Sequence, residues 1–188
     1  MEVKPGTCIY VLDDVISDEL CETLKIVIDN TKGWISDYDE GSHVKCKFLS
    51  IDLCENKKLA KVIDTEIHAV VSNIIKQMYI LNERLTPING DSGYQLRKIH
   101  GATRIHVDSI FCTLHDKIIP KSDLRKLSLI IALNSDYEGG EFYFPRQDIK
   151  LKLKGGQAIL FPPYWTHPHY TGELNGTFRY AINTWLLE

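Results

Sequence analysis

Two histidine-bearing segments and one arginine have the residue types and spacing to do chemistry. His106-Val107-Asp108 places an imidazole and a carboxylate at i and i+2. On a strand both would point to the same face and converge on one point. The second segment, running from Phe161 to Tyr170 with Pro162, Pro163 and Pro168 inside it, carries His167 and His169. These two lie two residues apart, so strand parity does not separate them. Either would complete a set of two histidines and a carboxylate on one face of an octahedron, which suits Fe(II) and leaves three positions open to exchangeable ligands. Arg179 stands ten residues after His169, among Phe178, Tyr180, Ile182 and Trp185, which read as a strand through the core. A buried guanidinium is costly unless an anion meets it, and its planar fork suits a carboxylate.

The elements that must position these groups follow from periodicity. Cys8 to Leu12 reads as a first strand. Ser17 followed by Asp18 and Glu19 marks a helix start, with an N-cap oxygen and carboxylates at the positive end of the dipole. Leu20, Leu24, Val27 and Ile28 fall on one face of that helix, and Gly33 lies just past its end. Val44 to Leu53 reads as a strand. A longer helix is predicted over 57–81, where Leu59, Val62, Ile63, Ile67, Val70, Val71, Ile74 and Met78 make a stripe for core packing. After Asn89-Gly90-Asp91 the pattern changes to short β-type runs: Tyr94–Ile99, Thr103–Val107, Ile110–Leu114, Leu127–Leu133, Glu141–Phe144, Ile149–Leu153, Gln157–Phe161, His167–Tyr170 and Thr177–Leu187. Many short strands at close spacing predict a sandwich or jelly-roll barrel. Leu127–Leu133, nearly all apolar, should be central. Lys150, Lys152 and Lys154 alternate with Leu151 and Leu153, as on a half-buried strand with its lysines in water.

With 188 residues the chain suits a single domain, 1–188. Within it, 1–90 would be helical support and 91–188 the β core, since amphipathic helices need a sheet to cover. A hydrophobic fraction of 44%, a charged fraction of 25% and a net charge of −3 are ordinary for a globular protein and argue against a broad nucleic-acid surface. The five cysteines, Cys8, Cys21, Cys46, Cys54 and Cys112, form no C-x-x-C pair. They read as reduced thiols, so the expected setting is cytoplasmic. No signal peptide and no segment of membrane-spanning length is evident.

In order and spacing these elements resemble the 2-oxoglutarate- and Fe(II)-dependent oxygenases, in particular the prolyl 4-hydroxylase-like branch with its small phage-type members. The resemblance runs from Tyr94 to Glu188. It rests on His106–Asp108, the strand Leu127–Asn134, the turn Gly139-Gly140-Glu141 leading to Phe144-Pro145, the run Gly156 to Pro162, the distal histidine, the basic residue ten positions on, and Asn183 with Trp185. It implies a mostly β fold: a double-stranded β-helix (jelly-roll) core with flanking N-terminal α-helices packed on the major sheet. It also implies that His106, Asp108 and His169 bind Fe(II) as the catalytic set, His169 being chosen over His167 by its spacing to Arg179. Arg179 would hold the distal carboxylate of the co-substrate 2-oxoglutarate, with Ser128 beside it. Ile99 stands where many members carry a tyrosine that contacts the co-substrate, and Tyr94 is the candidate substitute.

The implied activity is a dioxygenase reaction that uses O2 to hydroxylate an unactivated C–H and releases succinate and CO2. A peptide prolyl residue or a small-molecule metabolite is the expected substrate. Arg104 and Arg146 are candidates at the mouth of the barrel for an acidic group. The alternative from another class is a catalytically silent jelly-roll module that binds a ligand or a protein. A nucleic-acid repair demethylase would carry a second arginine where Trp185 stands, and a cupin would show H-x-H in place of His106-Val107-Asp108.

Overall fold

Alternation along the two central strands divides the molecule into a helix-backed core and an inner face that carries the polar groups. The computed structural model describes residues 2–4, 6–31, 35–37, 45–82, 85, 87–108, 113–114, 117–118 and 124–188. Its elements are β1 (Glu2–Lys4), β2 (Ile9–Leu12), α1 (Asp18–Asn30), β3 (Ile35–Asp37), β4 (Lys45–Ser50), a short 3-10 turn (Ile51–Leu53), α2 (Lys57–Leu81), β5 (Gly90–Asp91) and β6 (Gln95–His100). Then come β7 (Thr113–Leu114), β8 (Lys117–Ile118), β9 (Arg125–Ala132), β10 (Phe142–Phe144), β11 (Ile149–Leu151), β12 (Ala158–Phe161), β13 (Tyr170–Thr171) and β14 (Arg179–Leu187). The fold is therefore mostly β with two α-helices.

The major sheet runs β1-β2-β12-β9-β14-β6-β4-β3, with β5 added on β14, and a minor sheet runs β11-β10-β13. Strand pairs in both sheets are antiparallel. β9 sits between β12 and β14 and is buried on both faces, as its unbroken apolar run requires.

On β9, Leu127, Leu129 and Ile131 join one hydrophobic cluster with Leu160 of β12 and Tyr180, Ile182 and Leu186 of β14. That cluster also takes in Cys21, Leu24 and Ile28 of α1, and Ala60, Ile63, Ile67, Val71, Ile74 and Met78 of α2. The intervening residues Ile130 and Ala132, with Ile159, Phe161 and Ala181, belong to a second cluster with Phe142, Phe144, Ile149 and Leu153 of the minor-sheet side. The period of two is thus used twice, once for each core.

The helices form where the signals put them. Ser17 caps α1, its Oγ accepting from Leu20 N at 3.3 Å, and Asn56 caps α2 through Leu59 N at 3.1 Å. The burial stripe of α2 is narrower than expected: Val62 is 61% exposed. It lies about 100° around the helix from Ile63, outside the face that meets the sheet. Two strand expectations also fail. Thr103–Val107 and His167–Tyr170 meet only through an isolated bridge between His106 and His169 and a bond from Thr103 N to Thr171 O. Gly33, Val44 and residues 110–112 lie outside the described residues. The lysines at 150, 152 and 154 are exposed, as their alternation predicts. Cys8, Cys21 and Cys54 are free thiols. Among the described residues no helix is long and apolar enough to cross a membrane.

Candidate metal and co-substrate site

The His106–His169 bridge brings the two histidines face to face. Each donates its backbone N–H to the other's carbonyl, at 3.0 and 2.9 Å, and the ring centroids lie 4.4 Å apart. Asp108 completes the group: Oδ1 is 3.4 Å from His106 Nε2 and Oδ2 is 3.9 Å from His169 Nε2. One ligand atom from each residue lies within 4.8 Å of the others. His169 is buried against Phe144 and Phe161, with ring centroids at 5.5 and 4.6 Å, whereas His106 faces the open side.

Tautomers are set by the backbone. His106 Nδ1 lies 2.8 Å from the Arg104 carbonyl oxygen and His169 Nδ1 lies 3.1 Å from that of His167. A carbonyl only accepts, so each Nδ1 carries a proton and each Nε2 presents its lone pair to the convergence point. Ser128 Oγ donates to Asp108 Oδ2 at 2.7 Å, and Arg125 Nη1 donates to the Asp108 backbone oxygen at 2.5 Å.

The electrostatics match this geometry. Burial works against the Asp108 carboxylate, but His106, His169 and the Ser128 hydroxyl outweigh it and hold its pKa well below the usual range. Burial also works against a charged His106, yet Asp108 and the Arg104 carbonyl raise its pKa overall. Burial pushes His169 down. An ionised carboxylate beside two imidazoles with free Nε2 atoms is a donor set that fits a divalent first-row cation.

Arg179 opens β14 on the same inner face. It is 4% exposed, its Nη1 donates to the Gly140 carbonyl at 2.8 Å, and its guanidinium lies 4.7 Å from the Phe142 ring centroid. The Gly139-Gly140 turn makes this contact available. Both residues have positive φ, at 74° and 67°, and a Cβ on Gly139 would collide with the Glu173 carbonyl oxygen.

The other expected residues fall in different places. Ser128 lies opposite Trp185 in the β9–β14 register, whereas Arg179 lies opposite Ile99; its hydroxyl is spent on Asp108 and does not sit beside Arg179. The His167 ring is turned away from the metal-binding group, with Nε2 2.7 Å from the Thr7 carbonyl and Nδ1 2.9 Å from Thr166 Oγ1. Tyr94 does not substitute for the missing tyrosine. It packs in the helix-side cluster, and its hydroxyl donates to Asp91 Oδ2 at 2.8 Å and lies 3.1 Å from His68 Nδ1. Arg104 and Arg146 are exposed, and Arg146 Nη1 donates to the Trp165 carbonyl at 2.9 Å. Two inner-face arginines, Arg97 and Arg125, were not singled out from the sequence. Arg97 shares parity with Ile99 on β6. Arg125 reaches the Asp108 side across a register shift between Leu186 and Leu187, which parity does not reveal.

Residues 94–187 match the model of the 2OG-Fe(II) oxygenase superfamily, half of the chain. The chain is 27% identical over 211 residues to prolyl 3-hydroxylase 2 of Gallus gallus, a match that takes in 96% of this chain and 30% of that protein. The chain thus spans under a third of the length of that relative. Among solved structures it is similar to a viral collagen prolyl hydroxylase from Paramecium Bursaria Chlorella virus-1 in complex with 2OG, with a TM-score of 0.68, 20% identity and 96% of each chain covered. It is also similar to a prolyl hydroxylase from Trichoplax adhaerens in complex with a hypoxia inducible factor peptide fragment, with a TM-score of 0.69, 17% identity, 97% of this chain and 84% of that one. At these identities the likeness to the solved structures is one of fold.

Proposed function

Because the chain belongs to the 2OG-Fe(II) oxygenase superfamily, whose cofactors are Fe(II), 2-oxoglutarate and O2, we propose that it is a hydroxylase whose iron is held by His106, Asp108 and His169. The observation that carries this assignment is the convergence of His106 Nε2, His169 Nε2 and an Asp108 oxygen within 4.8 Å, with each Nδ1 on a backbone carbonyl. With 2-oxoglutarate and O2, the bound ion supplies the oxidising chemistry that puts a hydroxyl on an unactivated C–H and releases succinate and CO2.

The protein's own residues do the rest. Arg179 receives the distal carboxylate of 2-oxoglutarate on its fork, presented by the Gly140 carbonyl and the Phe142 ring. Ser128 keeps Asp108 ionised and fixes its rotamer. Phe144 and Phe161 wall His169 off from water. The two sheets make a double-stranded β-helix whose major sheet is backed by α1 and α2. A prolyl residue in a peptide is the favoured substrate, because the relatives named above are prolyl hydroxylases; a small metabolite is the second class. The spread of cysteines supports a reducing, cytoplasmic setting. The silent-module alternative is disfavoured by the presence of all three metal-binding groups together with Arg179.

The test is direct. Anaerobic protein should bind one Fe(II) per chain and develop a weak visible band on addition of 2-oxoglutarate. His169→Ala should abolish both the band and 2-oxoglutarate turnover, while His167→Ala retains much of each. A wild-type protein without the band or iron-dependent turnover refutes the reading. Reversal of the two histidine variants moves the third ligand to His167.

A further inference from the structure

The inner face holds two more guanidinium groups than the co-substrate can use. Arg97 lies on β6 two residues before Ile99, and its Nε and Nη2 donate to the neutral Gln95 Oε1 at 3.2 and 2.6 Å. Arg125 Nη1 donates to the Asp108 backbone oxygen, and the guanidinium rests on the Trp185 ring at 3.5 Å. Neither arginine forms an ion pair with a carboxylate among the described residues. Gln95, which accepts from Arg97, lies opposite Asn183 in the β6–β14 register, so the Arg97 head group sits on the stretch of the inner face that carries Asn183 and Trp185.

Three buried polar atoms in the same region have no hydrogen-bond partner among the described residues: Arg125 Nε, Trp185 Nε1 and Asn183 Oδ1. Asn183 and Trp185 are two residues apart on β14 and so share a face. Buried donors left unmade are costly, and a cluster of them marks a place where something else binds.

Charge balance sharpens the point. With cofactors in place, the charges of Fe(II), Asp108, 2-oxoglutarate and Arg179 would cancel in sum. Among the described residues neither Arg97 nor Arg125 forms an ion pair with a carboxylate, and both are half-buried, so an anion beside them would be favoured by two like charges. We infer that the substrate carries a carboxylate next to the carbon that is oxidised, held by Arg97 and Arg125, with the Trp185 indole N–H and Asn183 Oδ1 binding the polar group beside it. This rests on the metal-site reading above and narrows its substrate. The carboxylate comes from one of two sources: a free amino or hydroxy acid, or an acidic side chain in a peptide. In a peptide, the N–H for Asn183 Oδ1 comes from the backbone.

Three matched probes separate these sources: free L-proline, acetyl-Glu-Pro-Gly-amide and acetyl-Gln-Pro-Gly-amide. The last two differ by one charge at constant shape. Binding to protein loaded with Fe(II) and 2-oxoglutarate is read anaerobically by saturation-transfer NMR, and succinate release above the uncoupled rate is read in air. An acid-bearing probe should bind about tenfold more tightly than the glutamine peptide, the margin expected of a charge-assisted hydrogen bond over a neutral one. Whichever acid prevails identifies the source. Arg97→Gln and Arg125→Gln should erase that preference while the 2-oxoglutarate band persists, and the lysine variants, which keep the charge and guard against misfolding, should restore part of it. Equal response to acidic and neutral probes, including no response to any, overturns the inference. So does an Arg97→Gln variant that raises the KM for 2-oxoglutarate and leaves probe binding unchanged, since Arg97 would then belong to the co-substrate. Absence of the 2-oxoglutarate band in the unaltered protein refutes the metal-site reading instead, so the two failures are distinguishable.

Discussion

Removing the Ser128 hydroxyl separates two roles for that residue: holding the metal-binding carboxylate, or touching the co-substrate. Ser128 is 1% exposed, and its Oγ donates to Asp108 Oδ2 at 2.7 Å. The acceptor is an ionised, buried carboxylate, so the bond is charge-assisted. Hydrogen bonds to charged groups contribute about 1.5–3 kcal/mol, which converts to roughly ten- to a hundred-fold in an equilibrium constant. Substitutions behind metal ligands fall in that same range of affinity loss. Ser128→Ala should therefore weaken Fe(II) or Mn(II) binding by roughly ten- to a hundred-fold, because Asp108 loses both a donor that keeps it ionised and the contact that fixes its rotamer. The KM for 2-oxoglutarate at saturating metal should change less than about threefold, since the hydroxyl lies opposite Trp185 and away from Arg179. The assay is chelator-competition titration of the metal, run beside 2-oxoglutarate kinetics on the same preparation. Ser128→Thr, which keeps the hydroxyl, should recover most of the affinity. Unchanged metal affinity with a raised KM for 2-oxoglutarate would place the hydroxyl on the co-substrate and refute this reasoning.

Arg179→Ala should raise the apparent KM for 2-oxoglutarate far more than it weakens metal binding, since truncating one side of a buried charge pair costs about 3–5 kcal/mol, or roughly a hundred- to several-thousand-fold. Arg179→Lys should rescue only partly, and a loss of thermal stability with unchanged KM would make Arg179 a packing residue. In α2, Ile67→Ala should destabilise by about 2–5 kcal/mol, because Ile67 is fully buried in the helix-side cluster. Val62→Ala should stay within about 0.5 kcal/mol, and chemical denaturation of both variants checks the contrast. Asp108→Asn should remove metal binding while leaving the unfolding transition in place, as seen by titration and melting, because the group belongs to the site and not to either hydrophobic cluster.

Much of this architecture was legible because it depends on local rules. The bounds of α2, the Ser17 cap, the central β9 and the shared face of His106 and Asp108 follow from periodicity, capping chemistry and i, i+2 parity, whereas His169 is chosen by its spacing to Arg179 in the family resemblance. What parity could not deliver is where strands meet. The His106–His169 contact is one bridge rather than a ladder. Arg125 reaches the metal side only because the register shifts at Leu186 and Leu187. Tyr94 was the candidate for the co-substrate contact but packs toward the helices, its hydroxyl held by nearby Asp91 and by His68, which lies 26 residues earlier in α2. His167 and His169 were inseparable by parity; the Thr7 carbonyl, 160 residues away in sequence, takes up the His167 ring.

The helices bear on the chemistry through the register of β14. On that strand Arg179, Ala181, Asn183 and Trp185 face the inner side, while Tyr180, Ile182 and Leu186 face the helices. A slip of one residue would exchange Arg179 for Tyr180 and drive a guanidinium into the helix-side core. Contacts on both faces oppose that slip. On the inner side Arg179 is held by the Gly140 carbonyl. On the outer side the Tyr180 hydroxyl donates to both oxygens of Asp29 in α1 at 3.0 Å, and Lys98 of β6 meets the same carboxylate at 2.6 Å. Neighbouring residues on one strand are thus pinned from opposite directions, one by a turn on the minor-sheet side and one by a helix. The surface ion pair alone contributes little. Joined to a tyrosine hydroxyl and to the buried stripe of α1, it fixes which face of β14 the arginine occupies. The N-terminal helices thereby set the position of Arg179 from the opposite face of the strand.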